Sequence, residues 1–157
     1  MIVSIDVEDE SWSALADLQD IAQQAVDAAW TAVGSDGGTA QVAVLFTNDE
    51  AMTGINAEWR GKNNPTNVLS FPAASDMPWP DGEPRPLGDI VLAHGVVTRE
   101  AADQGKTLHE HTVHLIVHGM LHLLGYDHEA DDEAEEMEQL EIGILKGLGI
   151  SDPYERH

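Results

Sequence analysis

A row of histidines carries the first chemical signal in this chain. His118 and His122 are four residues apart, so in a helix both imidazoles project from one face and can converge on one ion. His114 continues the row one turn earlier. From His114 to His122, however, is eight residues, about 12 Å along a helix axis. Metal–nitrogen bonds of about 2.0–2.1 Å cannot gather all three. A third ligand has to come from beyond the helix end, where Gly125 turns the chain and His128 follows three residues later. Three imidazoles with an open fourth position are the donor set of a catalytic zinc site. Zinc lowers the pKa of a bound water towards about 7, which makes hydrolysis the expected chemistry. Asp127 stands where it can orient an imidazole. The same nitrogens accept nickel or cobalt, with zinc the expected ion.

The spacing His-x3-His-x2-Gly-x2-His is that of the metzincin metalloproteases. Those enzymes carry a glutamate directly after the first histidine as general base. Here that position is Gly119, and no acid lies between His118 and His122. Peptide hydrolysis is therefore disfavoured, although a metallohydrolase of peptides or small molecules stays open as an alternative.

The elements that must hold these residues can be read from periodicity and capping signals. Ile2 to Val7 alternates as a strand does. Ser11 is the expected cap of a helix with Leu15, Leu18, Ala22, Val26, Ala29 or Trp30 and Val33 inward, ended by Gly34 to Gly38. Val42 to Phe46 is the second strand. Thr47 and Glu50 suggest a capping box for a helix to about Trp59. After a turn at Asn63-Asn64-Pro65 comes a third strand, Thr66 to Phe71. Pro72 to Pro86 holds five of the seven prolines and reads as a long irregular loop. Ile90 to Ala93 is the fourth strand and Thr98 to Gln104 a helix.

Thr107 and Glu110 form a second capping box, opening a helix that carries the histidines to Leu124. Asp132 to Lys146 is the last helix, with Met137, Leu140, Ile144 and Leu148 inward. The expectation is one α+β domain over residues 1–157, with a central, roughly four-stranded mixed sheet packed by about five helices. The acidic run from Glu129 to Glu141 reads as the solvated face of the last helix. His109 and His111 read as surface residues, and His94 carries no assignment.

Composition narrows the class further. With no cysteine, disulfides and thiolate metal sites are unavailable. The N-terminal residues have no basic start or apolar stretch, and no apolar run reaches the ~20 residues of a membrane span. A cytoplasmic protein is the expectation. The formal net charge of -22 opposes non-specific attraction to nucleic acid. It is unevenly spread, since residues 60–106 hold five of the seven basic residues against six acidic ones.

The segment His118-Gly-x-Leu-His122-Leu-x-Gly125-Tyr126-Asp127-His128 resembles the signature of the YbeY-type endoribonucleases, the bacterial rRNA maturation factors. A second block, Trp59-Arg60-Gly-Lys-x-x-Pro65-Thr66-Asn67-Val68-Leu69-Ser70-Phe71-Pro72, is similar as well. So are Leu87-Gly88-Asp89-Ile90 and the acidic run from Asp131 to Met137. Together these blocks cover roughly residues 59–137 in the family's order. The resemblance implies an α+β fold, one zinc on His118, His122 and His128, and cleavage of single-stranded RNA. It also implies a role in ribosomal RNA processing at the small-subunit 3′ end, and in ribosome quality control.

The arginine matching Arg60 is functional in that family. A planar cation there can stabilise charge accumulating around phosphorus during phosphodiester cleavage. His114 has two readings, a group that touches substrate or transfers a proton, and a satisfied helix-face histidine. Whether water or a ribose 2′-OH attacks stays open. A further alternative is a non-catalytic ribosome-assembly factor whose zinc holds residues 107–130 together, delivered to its RNA by protein partners.

Overall fold

In the computed structural model the described residues are 2–33, 40–61, 65–73, 85–126 and 131–150. They form β1 (Ile2–Val7), α1 (Leu18–Ala32), β2 (Ala40–Thr47), α2 (Asp49–Arg60), β3 (Val68–Pro72), β4 (Arg85–Ala93), α3 (His94–Asp103), α4 (Leu108–Leu123) and α5 (Asp131–Gly147). The sheet order is β1-β2-β4-β3. β1, β2 and β4 run parallel and β3 is antiparallel to β4. A parallel pair needs a crossover, which α1 supplies between β1 and β2. The expected α+β class, with a four-stranded mixed sheet and five helices, is the one observed.

Alternation along the strands divides two apolar layers. Val42, Val44 and Phe46 of β2 join Ile90 and Leu92 of β4 in the main core, together with buried residues of α1, α4 and α5. The opposite face carries a smaller cluster, in which Leu69, Val91 and Ala93 pack with Met52 of α2. Pairing of Val44 with Ile90 and Phe46 with Leu92 keeps each layer in register. Among the described residues no helix is long and apolar enough to cross a membrane.

Several boundaries differ from the sequence reading, each for a physical reason. Ser11 does not cap α1. It lies in a 3₁₀ turn, Glu10–Ala14, whose cap is Asp9, accepting from the Ser11 amide at 2.8 Å. That turn inserts Trp12, fully buried, whose indole N–H donates to the Thr47 carbonyl at 2.8 Å. The indole meets the rings of Phe46 and His94 edge-on, each at 5.0 Å. His94 thus has a packing role. Asp17, left-handed at φ 59°, then starts α1.

Asn48, not Thr47, caps α2, accepting from the Ala51 amide at 2.8 Å, while Thr47 is the buried end of β2. The start of α3 is four residues earlier than expected, because its cap comes from another helix. Asp49 accepts from the Val96 amide at 3.0 Å and from Arg99 at 2.9 Å. Strand β4 begins at Arg85, inside the stretch read as loop. Pro86 is tolerated there because the ladder slips between Gln41 and Val42, leaving Leu87 as an extra residue. Gly88 follows at φ 139°, where a Cβ would stand 2.2 Å from the Phe71 carbonyl oxygen.

Trp12 plugs the end of the main core, and its loss should be expensive. Trp12→Ala is expected to cost about 3–5 kcal/mol by urea unfolding. Trp12→Phe, which keeps most of the packing but not the bond to Thr47, should cost about 1–3 kcal/mol. A Trp12→Phe protein as stable as its parent would show that the bond contributes nothing.

Candidate functional site

The site is built on α4. Thr107 and Glu110 cap it reciprocally as expected, with the Glu110 amide donating to the threonine hydroxyl at 3.0 Å and the Thr107 amide to the Glu110 carboxylate at 3.1 Å. From His111 to Leu121 every residue except His118 is buried. A helix apolar on nearly all sides belongs inside a fold. It sits against β3 and β4 on one side, with α1, α3 and α5 around it.

Gly119 sets how closely α4 approaches the sheet. Its carbonyl accepts from the Ser70 hydroxyl at 3.2 Å. A Cβ at that position would meet Ser70 Oγ at 3.0 Å and Ile90 Cγ2 at 3.1 Å. The place of the metzincin glutamate thus faces the sheet, where any side chain would crowd Ser70 and Ile90.

The helix ends in a Schellman motif, with the Gly125 amide bonded to the His122 carbonyl at 3.1 Å and the Tyr126 amide to that of Leu121 at 2.9 Å. Gly125 is left-handed, at φ 98°. Beyond Tyr126, Asp127 and His128 lie outside the described residues, as does the side chain of Arg60, whose backbone ends α2.

The rings of His118 and His122 have centroids 4.6 Å apart, and their Nε2 atoms face each other at 3.0 Å. Two nitrogens bound to one tetrahedral zinc lie about 3.3 Å apart, given bonds of about 2.0–2.1 Å. The pair therefore has the spacing of two ligands. The ring of His114 is 6.4 Å from that of His118 and forms no part of the convergence. Among the described residues no group of three His, Asp or Glu could hold a metal ion, so the pair needs a donor from elsewhere.

One residue of the site was missed from the sequence. Glu141 of α5 is fully buried, not part of the solvated face, and its two oxygens meet two histidines of α4. Nδ1 of His118 donates to Oε1, and Nε2 of His114 faces Oε2 at 3.2 Å. The rest of the expected acidic face is as read, with Asp132, Glu133, Glu135, Glu136 and Glu138 exposed. The signal that could have found Glu141 is its row, since Met137 and Leu145, four residues to either side, are buried too.

His111 was also misread as a surface residue. It is buried, and its Nε2 meets Glu100 of α3 at 2.9 Å. Glu100 accepts as well from the Asn67 amide group at 2.9 Å. Only His109 of the two is exposed. A small cleft of about 200 Å³ opens here, lined by Asn67, Glu100, His111, His114 and His118 among others. A larger groove, about 770 Å³, lies on the opposite sheet face between α2 and the strands, lined by Ile55, Trp59, Phe71, Asp89 and Val91 among others. It is mostly apolar, with two aspartates, Asp6 and Asp89, and no histidine in its lining.

A mixed four-stranded sheet with an imidazole-bearing helix buried against it defines an α+β protein with a histidine pair near the end of one helix. The family model described as Endoribonuclease YbeY matches residues 4–149. An endoribonuclease YbeY from Rhodopseudomonas palustris is 51% identical over 148 residues, covering 94% of this chain and 78% of the relative. One from Azorhizobium caulinodans is 49% identical over 156 residues, covering 98% and 96%. The solution structure of a Thermotoga maritima protein superposes with a TM-score of 0.57 over 99% of this chain and 100% of that one, at 22% identity, a likeness of fold alone. The chain belongs to the YbeY endoribonuclease family.

Burial holds the His111 imidazole below its ordinary pKa of 6.5, against the pull of Glu100 and with the neighbouring His114 and Lys106 adding to the depression. The unfolded chain thus takes up a proton that the fold resists. The contribution of His111 is intact above pH 6.5 and is lost as pH falls from there through the folded value. Between about pH 7.5 and about pH 5.5, His111→Gln should therefore lose less Tm than the parent, both measured in chelator. Equal losses would remove His111 from the acid response.

Proposed function

We propose that this protein is a zinc-dependent endoribonuclease that cleaves single-stranded RNA during ribosomal RNA processing, at the small-subunit 3′ end, and in ribosome quality control. The observation that carries the reading is the His118–His122 pair, whose Nε2 atoms meet at 3.0 Å. With Nδ1 turned to Glu141, His118 presents Nε2, a cation's donor atom, on the side of His122. Zinc would be held by His118, His122 and His128, with Asp127 orienting an imidazole. When bound, it supplies a Lewis acid for a phosphodiester and lowers the pKa of a water to about 7.

The protein's own groups do the rest. Arg60 is assigned to neutralise charge building on the phosphoryl oxygens. His114 is assigned to the carboxylate network, through the oxygen of Glu141 that His118 does not use. The high negative charge supports delivery to the ribosome by ribosome-associated protein partners, since the chain's own pull on RNA is weak. A cytoplasmic location belongs to the same reading.

Two variants test the assignment. His118→Ala should lose bound zinc, by metal analysis, and cleavage of an unpaired RNA together. Arg60→Glu should keep zinc while its cleavage rate falls by about 100-fold or more. An Arg60→Glu protein that cleaves at the parent rate would sink the arginine assignment.

A further inference from the structure

Glu141 stands in the apolar row of α5. Met137 and Leu145, one turn to either side, are buried with Ile144 in the main core. A leucine at 141 would suit that row, and burying an ionisable group without partners is strongly unfavourable. The carboxylate is fully buried, whereas the His118 side chain it contacts is 24% exposed.

Both oxygens are used. Oε1 accepts from His118 and Oε2 lies 3.2 Å from His114 Nε2. A carboxylate held at both ends cannot rotate to follow a histidine, so the histidine must conform to it. Histidine χ2 is broad and roughly two-fold. A half-turn of the His118 ring would carry Nε2 away from His122 and put carbon in its place. The bond at Nδ1 removes that freedom and holds the ring with Nε2 towards His122.

We infer that Glu141 is a positioning residue for the metal-binding pair, acting through His118 and itself anchored by His114. It touches neither the metal nor substrate. It fixes ring rotation so that the two Nε2 atoms face one point. The inference rests on the zinc reading above and extends it to α5, an element that contributes no ligand.

The test measures zinc affinity of the full chain by competition with a chromophoric chelator, for the parent, Glu141→Gln and Glu141→Leu. Glutamine keeps the volume and one acceptor but not the charge, and should weaken zinc by about 10-fold. Leucine removes both bonds and should weaken it by about 100-fold. Metal-free unfolding in chelator and the visible spectrum of the cobalt-loaded protein accompany each variant. A shifted cobalt spectrum in Glu141→Gln is expected, because the ring's orientation at the ion changes.

If the parent binds one zinc and both variants bind it equally, the inference fails and the zinc reading stands. If affinity falls only in step with metal-free stability and the cobalt bands do not move, Glu141 holds helices together and the inference also fails. A parent that binds no zinc overturns the zinc reading itself. Should Glu141→Leu fail to fold, the near-isosteric glutamine variant carries the decision.

Discussion

Helix α4 is enclosed on nearly every side and yet carries, besides the exposed His109, four further imidazoles, His111, His114, His118 and His122. Enclosure without partners would leave polar nitrogens stranded at about 1–3 kcal/mol each. For one nitrogen each of His111, His114 and His118 the fold supplies carboxylates from two neighbouring helices. Glu100 of α3 reaches His111, and Glu141 of α5 reaches His114 and His118. Apolar packing brings these helices to α4, and the polar contacts then select one arrangement among those that packing alone would accept. Gly119 completes the constraint on the fourth side, where a side chain would hold α4 off the sheet.

Much of this was legible, and what was not has a common cause. The His118–His122 pair, the Thr107–Glu110 box and the stop at Gly125 depend on residues three or four apart, so sequence spacing shows them directly. The four strands are legible as short apolar or alternating runs between turn residues, whereas the directions in which they pair are not. Glu141, by contrast, is 23 residues from His118, and its role exists only once α5 lies against α4. The same holds for His111 with Glu100, and for Asp49 capping α3 from α2 at a separation of 47 residues. Each is a polar contact between elements, and a local row can show that a residue is buried but not which partner it meets. Arg60 and His128 were legible only as parts of motifs, by resemblance and spacing, and the structure does not describe their side chains.

Residue type alone does not separate these roles. Five acidic residues between Asp132 and Glu138 face solvent, while Glu141 on the same helix is buried. Helical phase is the whole difference. Glu138 is one position from Met137 and turns outward, whereas Glu141 is four positions on and returns to the same side. The acidic helix is therefore amphipathic in an unusual sense, with carboxylates on both faces, solvated on one and hydrogen-bonded to imidazole on the other.

The position of Glu141 along the chain also makes one part of the site depend on another. Domains generally fold as units, and the contact between Glu141 and His118 joins two helices across 23 residues. The ring angle of His118 is therefore not a property of α4 alone. It is set only with α5 docked, so whatever loosens α5 reaches the imidazole pair without touching either histidine.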